Sequence, residues 1–226
     1  GSVIATITNV TASATAGALH GVALKTVAGT STTIKLHQVD AVSAAGNGIH
    51  ADTVSAGAAI TVEGYSTATG AGYGLYATAF TGSAALDLTW STFTGTAGSG
   101  MRAGNFVGAA TTITADKIEI VGTANALSLN TFASGGTVTM ANSLFSGGAG
   151  SGAEITTLTS VTADFTNVTS TAGGGGNNGF RITTITSSTL GFHSVTAEAP
   201  NSAGLYAFTI ADTALTIDGY SSLTGT

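Results

Sequence analysis

Asn47-Gly48-Ile49-His50-Ala51 returns as Tyr73-Gly74-Leu75-Tyr76-Ala77, as Ser99-Gly100-Met101-Arg102-Ala103 and as Ala203-Gly204-Leu205-Tyr206-Ala207. The apolar residue after the glycine marks a repeat: Val22, Ile49, Leu75, Met101, Leu127, Ala153, Phe180 and Leu205. The steps are 27, 26, 26, 26, 26, 27 and 25 residues. A steady period of this length is the signature of stacked repeats. A second column keeps the same step five residues later: Val27, Val54, Phe80, Phe106, Phe132, Leu158, Ile185 and Ile210. A third runs through Ile34, Ile60, Leu86, Ile113, Val138, Ala163, Leu190 and Leu215. A fourth follows it two residues on, from Leu36 and Val62 to Phe165, Phe192 and Ile217, with Ile7 at its head. Four registers in step leave little room for coincidence.

Inside a repeat the apolar residues alternate, as Ile34-x-Leu36, then Ile49-x-Ala51, then Val54. Period two means short strands with one buried face. Gly and Asn clusters separate them, as at Ala44-Ala45-Gly46-Asn47-Gly48 and from Gly173 to Gly176 with Asn177 and Asn178. Such clusters are turn chemistry. A strand triplet recurring at this spacing predicts one coil per repeat, with successive coils paired in parallel. Like then stacks on like, and Phe80, Phe106 and Phe132 form an internal ladder. Each buried ring is worth roughly 1.5–3 kcal/mol by area.

The composition agrees. Only 7% of the 226 residues are charged, there are 33 Gly and one Pro, and β-branched residues abound. A disordered chain has the opposite balance. The net charge is −6, with five Lys and Arg. That leaves no basic patch for phosphates, so nucleic acid is not expected as a partner. No apolar run approaches the ~20 residues of a membrane span. Cys is absent, which removes disulfides and thiolate metal sites. A Thr-rich, Lys-poor surface suits an extracellular or cell-surface protein.

On these columns the chain resembles the right-handed parallel β-helices of bacterial surface adhesins and autotransporter passenger regions, and more distantly the pectate-lyase-like fold. The resemblance implies an all-β, right-handed parallel β-helix (solenoid) of about 26 residues per coil and roughly eight and a half coils. Residues 1–226 then form a single domain. Asn142 and Asn167, one coil apart with Ser194 next, resemble the asparagine ladder of such folds.

Two outward columns are candidate sites. Thr26, Thr53, Thr131, Thr157, Thr184 and Thr209, with Thr159 and Thr186 beside them, resemble the ranked hydroxyls of an ice-binding face. Ala79, Asn105 and Val107 interrupt the rank. Thr is also a good strand residue, which explains much of this column without a ligand. The second column holds His50, Tyr76, Arg102, Arg181 and Tyr206, a candidate face for a glycan or protein partner; a solvated sheet face reads the same way. His37 stands above Glu63, and His193 above Asp218, without a third metal ligand in sequence. They read as surface ion pairs of little weight. The 11 acidic residues are scattered, so neither a carboxylate pair nor an oxygen-rich cation site is foreseen. No catalytic centre, cofactor or metal is expected.

The chain opens on strand residues Val3-Ile4-Ala5 and ends in mid-coil at Thr226, with no amphipathic helix or charged cap at either end. Uncapped coils invite pairing. The expected function is an extracellular structural or adhesive solenoid, either stacking head to tail into filaments or continuing into flanking coils. Ice binding is the alternative, and a carbohydrate-binding or polysaccharide-degrading β-helix the second alternative.

Overall fold

The computed structural model describes residues 2–17, 19–175 and 177–225. Gly1, Ala18, Gly176 and Thr226, including one member of the predicted glycine turn and the final residue, lie outside them. The described residues contain strands and turns and no helix. The chain is a parallel β-solenoid, and every strand pair is parallel.

Each coil has three strands. The longest has seven residues: Val22–Ala28, Ile49–Ser55, Leu75–Thr81, Met101–Val107, Leu127–Ala133, Ala153–Thr159, Phe180–Thr186 and Leu205–Ala211. These eight form one sheet in chain order. A five-residue strand follows, as at Ala59–Glu63 and Thr137–Ala141, then a four-residue strand, as at Thr67–Gly70 and Leu144–Gly147. In the first coil the last two are one strand, Thr32–Ser43, and Val3–Ala14 pairs along its whole length. Those two long strands pass through a left-handed residue, Asn9 and Gln38, where later coils make the corner.

The registers reproduce all four predicted columns. Ile49 pairs with Leu75, Leu75 with Met101, and Phe80, Phe106 and Phe132 stand in line. Their rings stack at 4.4 and 4.6 Å between centroids. Phe165 stacks on Phe192 at 5.5 Å in the fourth column. Phe93, Phe145 and Phe180 add further buried rings, so the solenoid's inside is one continuous apolar column.

The predicted triplet is divided differently. Ile49–Ala51 and Val54 belong to one strand, not two. Asp52 and Thr53 are adjacent and neither is buried, and the ladder skips Asp52 and its equivalents. The strand bends there, which resets the alternation. The third strand is the four-residue segment. Its inward column runs Ala41, Ala68, Phe93, Ile120, Phe145, Ser170, Ala197 and Leu223. Those sizes are so mixed that no apolar signal survives in sequence.

The glycine before each marker has a packing reason. A Cβ on Gly74 would lie 2.4 Å from the Thr94 amide nitrogen, and one on Gly48 2.6 Å from that of Thr69. The long strand enters here directly against the short strand's backbone, which is why glycine holds seven of the eight positions. Ala126 occupies this position in one coil.

Candidate functional site

The outward column of the long strands is in register from Ala23 through His50, Tyr76, Arg102, Ser128, Glu154 and Arg181 to Tyr206. The five predicted members do not make one surface. His50, Tyr76 and Arg102 touch one another or share partners. The buried Ser128 and the ion-paired Glu154 separate them from Arg181 and Tyr206.

The first cluster recruits two residues that sequence reasoning missed, His20 and Tyr73. Both sit in turns two residues before a marker, in a column that runs His20, Asn47, Tyr73, Ser99, Asn125, Ser151, Asn178 and Ala203, too mixed in type to mark a site. The Asn47 amide donates to His20 Nδ1 at 3.1 Å. A neutral His20 therefore carries its proton on Nε2 and donates to His50 Nδ1 at 2.9 Å. That leaves the His50 proton on Nε2, where it reaches Thr78 Oγ1 at 3.1 Å. A proton added to His50 Nδ1 would face the His20 N–H. Burial, then the nearby His20, hold the His50 pKa below its ordinary value, with Asp52 acting in the other direction.

The His50 ring stacks on Tyr76 at 5.2 Å, and Tyr76 meets Tyr73 at 5.0 Å. Arg102 donates from Nη1 to the Tyr73 hydroxyl at 2.7 Å and lies 5.5 and 5.6 Å from the two tyrosine ring centres. Its Nε is enclosed without a hydrogen-bond partner among the described residues. In the second cluster Arg181 reaches Glu154 at 3.3 Å, and Asn125 donates to the same carboxylate at 2.6 Å. Both clusters spend most of their polar groups on each other.

The threonine column is continuous in register from Thr26 and Thr53, across Ala79 and Asn105, to Thr131, Thr157, Thr184 and Thr209. Thr159 stands on Thr186 beside it. The five- and four-residue strands, which belong to one sheet joined through Thr32–Ser43, carry equivalent ranks. Thr112 and Thr114 stand on Thr137 and Thr139 in the five-residue strands, and Thr67 and Thr69 on Thr92 and Thr94 in the four-residue strands. Outward threonine is thus a property of all three faces, as β-propensity alone dictates.

The predicted His–carboxylate pairs form. Glu63 accepts from His37 at 2.9 Å and from Lys35 at 2.8 Å, and chiefly the Lys35 contact lowers its pKa. His193 bonds Asp218, which raises the histidine pKa, and lies 3.7 Å from Asp164. Among the described residues no three His, Asp or Glu side chains are grouped to hold a metal.

The asparagine ladder is real but faces outward. Asn167 donates to Asn142 at 3.2 Å, and Asn142 to Asp116 at 2.7 Å. Both asparagines are exposed at the corner between the five- and four-residue strands, in left-handed conformation. The same corner column runs through the earlier coils as Lys117, Trp90 and Tyr65, which sequence reasoning passed over because their side chains share no chemistry with the asparagines. An open groove of about 950 Å³ runs along them.

No protein family, curated protein or solved structure matches this chain.

Proposed function

We propose that this chain is an extracellular structural or adhesive solenoid whose end coils are covered by further coils, either of flanking chain in a longer surface protein or of a second copy. One observation carries the reading. In the last coil the inward columns end on Ile210, Leu215 and Ile217, each more than 40% exposed, whereas their counterparts Ile185, Leu190 and Phe192 one coil earlier are buried. The edges of Leu205–Ala211, Ala214–Asp218 and Ser222–Gly225 have no strand beyond them among the described residues. At the other end Val3, Ile4 and Val10 are exposed. Uncovered apolar residues beside unpaired strand edges are a template for further pairing.

The occupant follows from the repeat. The last coil offers the same three strand lengths in the same order as every interior coil, so the surface that fits it is another such coil. A flanking coil of a longer chain presents one, and the first coil of a second copy offers a near match, with Val3–Ala14 undivided where later coils have two strands. A head-to-tail contact of this kind does not close and grows as a filament. The low charge offers little repulsion against it.

Sedimentation velocity and negative-stain microscopy across a concentration series test the reading. Rods that lengthen with concentration are expected. A strict monomer at the highest concentration would overturn stacking. A second reading, ice binding, is favoured only by the stacked pairs Thr157/Thr184 and Thr159/Thr186; thermal hysteresis that disappears in Thr157→Lys would establish it.

A further inference from the structure

We infer that the corner groove around Tyr65 and Trp90 is a binding site for an uncharged polysaccharide strand lying along the solenoid axis. This is independent of end-to-end stacking, since the groove lies on interior coils.

The first observation is exposure. Tyr65 is 72% and Trp90 44% exposed, and outside the last coil they are the exposed aromatic rings of the described residues. They occupy equivalent positions in consecutive coils, with ring centres 5.5 Å apart. The second observation is conformational. Tyr65 and Trp90 have φ of +65° and +48°. A bulky side chain is a rare occupant of that region. Other coils place Gln38, Lys117, Asn142, Asn167 and Ser194 at this left-handed corner, of which asparagine suits it best. Two large rings therefore sit where the backbone disfavours them and where burial does not reward them. Such outliers gather at functional sites.

The chemistry around the rings narrows the ligand. Lys117 Nζ lies 4.4 Å over the Trp90 ring and 3.9 Å from Asp116. Glu119 lines the same groove. One cation beside two carboxylates leaves no positive field for an anion, which argues against acidic glycans and nucleic acid. Below the rings the column continues as the Asn142 and Asn167 amides, which supply donors and acceptors. A ligand that matches has flat apolar faces, hydroxyl edges, no charge and a length spanning several coils at about 4.8 Å each. Neutral sugar rings linked in a chain have that character. The His50–Tyr76–Arg102 cluster is the weaker candidate, because its rings are half-buried where Tyr65 and Trp90 are exposed.

Trp90 is the chain's single tryptophan, so the site reports on itself. The experiment is a fluorescence titration of the intact protein with two neutral probes, the β-1,4-linked glucose and mannose hexasaccharides, against oligogalacturonate as the acidic comparison. The expected result is a saturable change in tryptophan emission with a neutral probe. By calorimetry, Tyr65→Ala weakens that binding roughly tenfold and Asn142→Ala about fivefold. Trp90→Phe retains it and Trp90→Ala loses it, with unchanged circular dichroism. Emission unmoved by both neutral probes, a response to oligogalacturonate only, or undiminished binding in Trp90→Ala overturns the proposal. So does an emission change driven by protein concentration alone, which would make the groove a contact between copies.

Discussion

His50 and His193 show how one residue type is pulled in opposite directions on one surface. His50 is half-buried and already receives a hydrogen bond on Nδ1, so the neutral ring is favoured and its pKa is lowered. His193 faces Asp218 and Asp164, so the charged ring is favoured and its pKa is raised. The linkage signs follow. Below the unfolded value near 6.5 the unfolded chain protonates His50 more readily than the folded one, so this residue costs stability as pH falls through that range. His193 stabilises fully below 6.5, and its contribution fades as pH rises through the raised folded value. A histidine NMR titration is expected to place the His193 midpoint above 6.5 and that of His50 below it, with His50 in the Nε2–H tautomer. A neutral His50 in the Nδ1–H form would contradict the relay through His20. Ala56 makes a second residue-scale case. Its φ is +55°, at an exposed turn after a long strand. A left-handed backbone costs a side-chain-bearing residue roughly 1–2 kcal/mol, and glycine's extra freedom in the unfolded chain offsets part of that. Ala56→Gly is expected to gain about 0.5–1 kcal/mol in urea unfolding; a loss would mean that the Ala56 methyl packs.

Strands and ladders carry the energy. Phe106 stacks between Phe80 and Phe132 and is wholly buried. Phe106→Ala removes the ring and both stacking contacts and leaves a cavity that adjoining coils cannot close. About 3–5 kcal/mol should be lost, read as a lower urea midpoint. A loss below about 1 kcal/mol would mean that the ladder repacks. This element was legible in advance, because period-two alternation and a 26-residue step both act on large apolar side chains. The four-residue strands were not legible. Their inward column mixes Ala68, Phe93, Ile120 and Ser170, and Gly70, Gly95, Gly122 and Gly147 sit beside it because the chain turns tightly. A Cβ on Gly122 would lie 1.9 Å from the Asn125 carbonyl oxygen. The glycines that look like loop composition are strand ends under steric compulsion. Likewise the bend at Asp52 joins into one strand what alternation divides into two.

At the scale of the molecule, stability is close to a sum of coils and coil–coil interfaces. The end coils, with Ile210 and Ile217 uncovered, are the weakest. Ile217→Lys places a charge on the stacking surface, at a residue that rests on Phe192 of the preceding coil with its other side exposed, and is expected to abolish concentration-dependent lengthening while leaving the monomer folded. Lengthening that survives this change would mean that copies meet through another face. The amino-acid sequence by itself determined the coil length, the parallel stacking and four buried columns, because each is a one-dimensional periodicity that burial imposes directly on residue type. Only the tertiary structure decided which side chains meet across coils. His20 and Tyr73 join His50 and Arg102, and Tyr65 and Trp90 share one groove, at turn positions that recur with the coil while their residue types do not. Their neighbours are set by where the backbone corners fall.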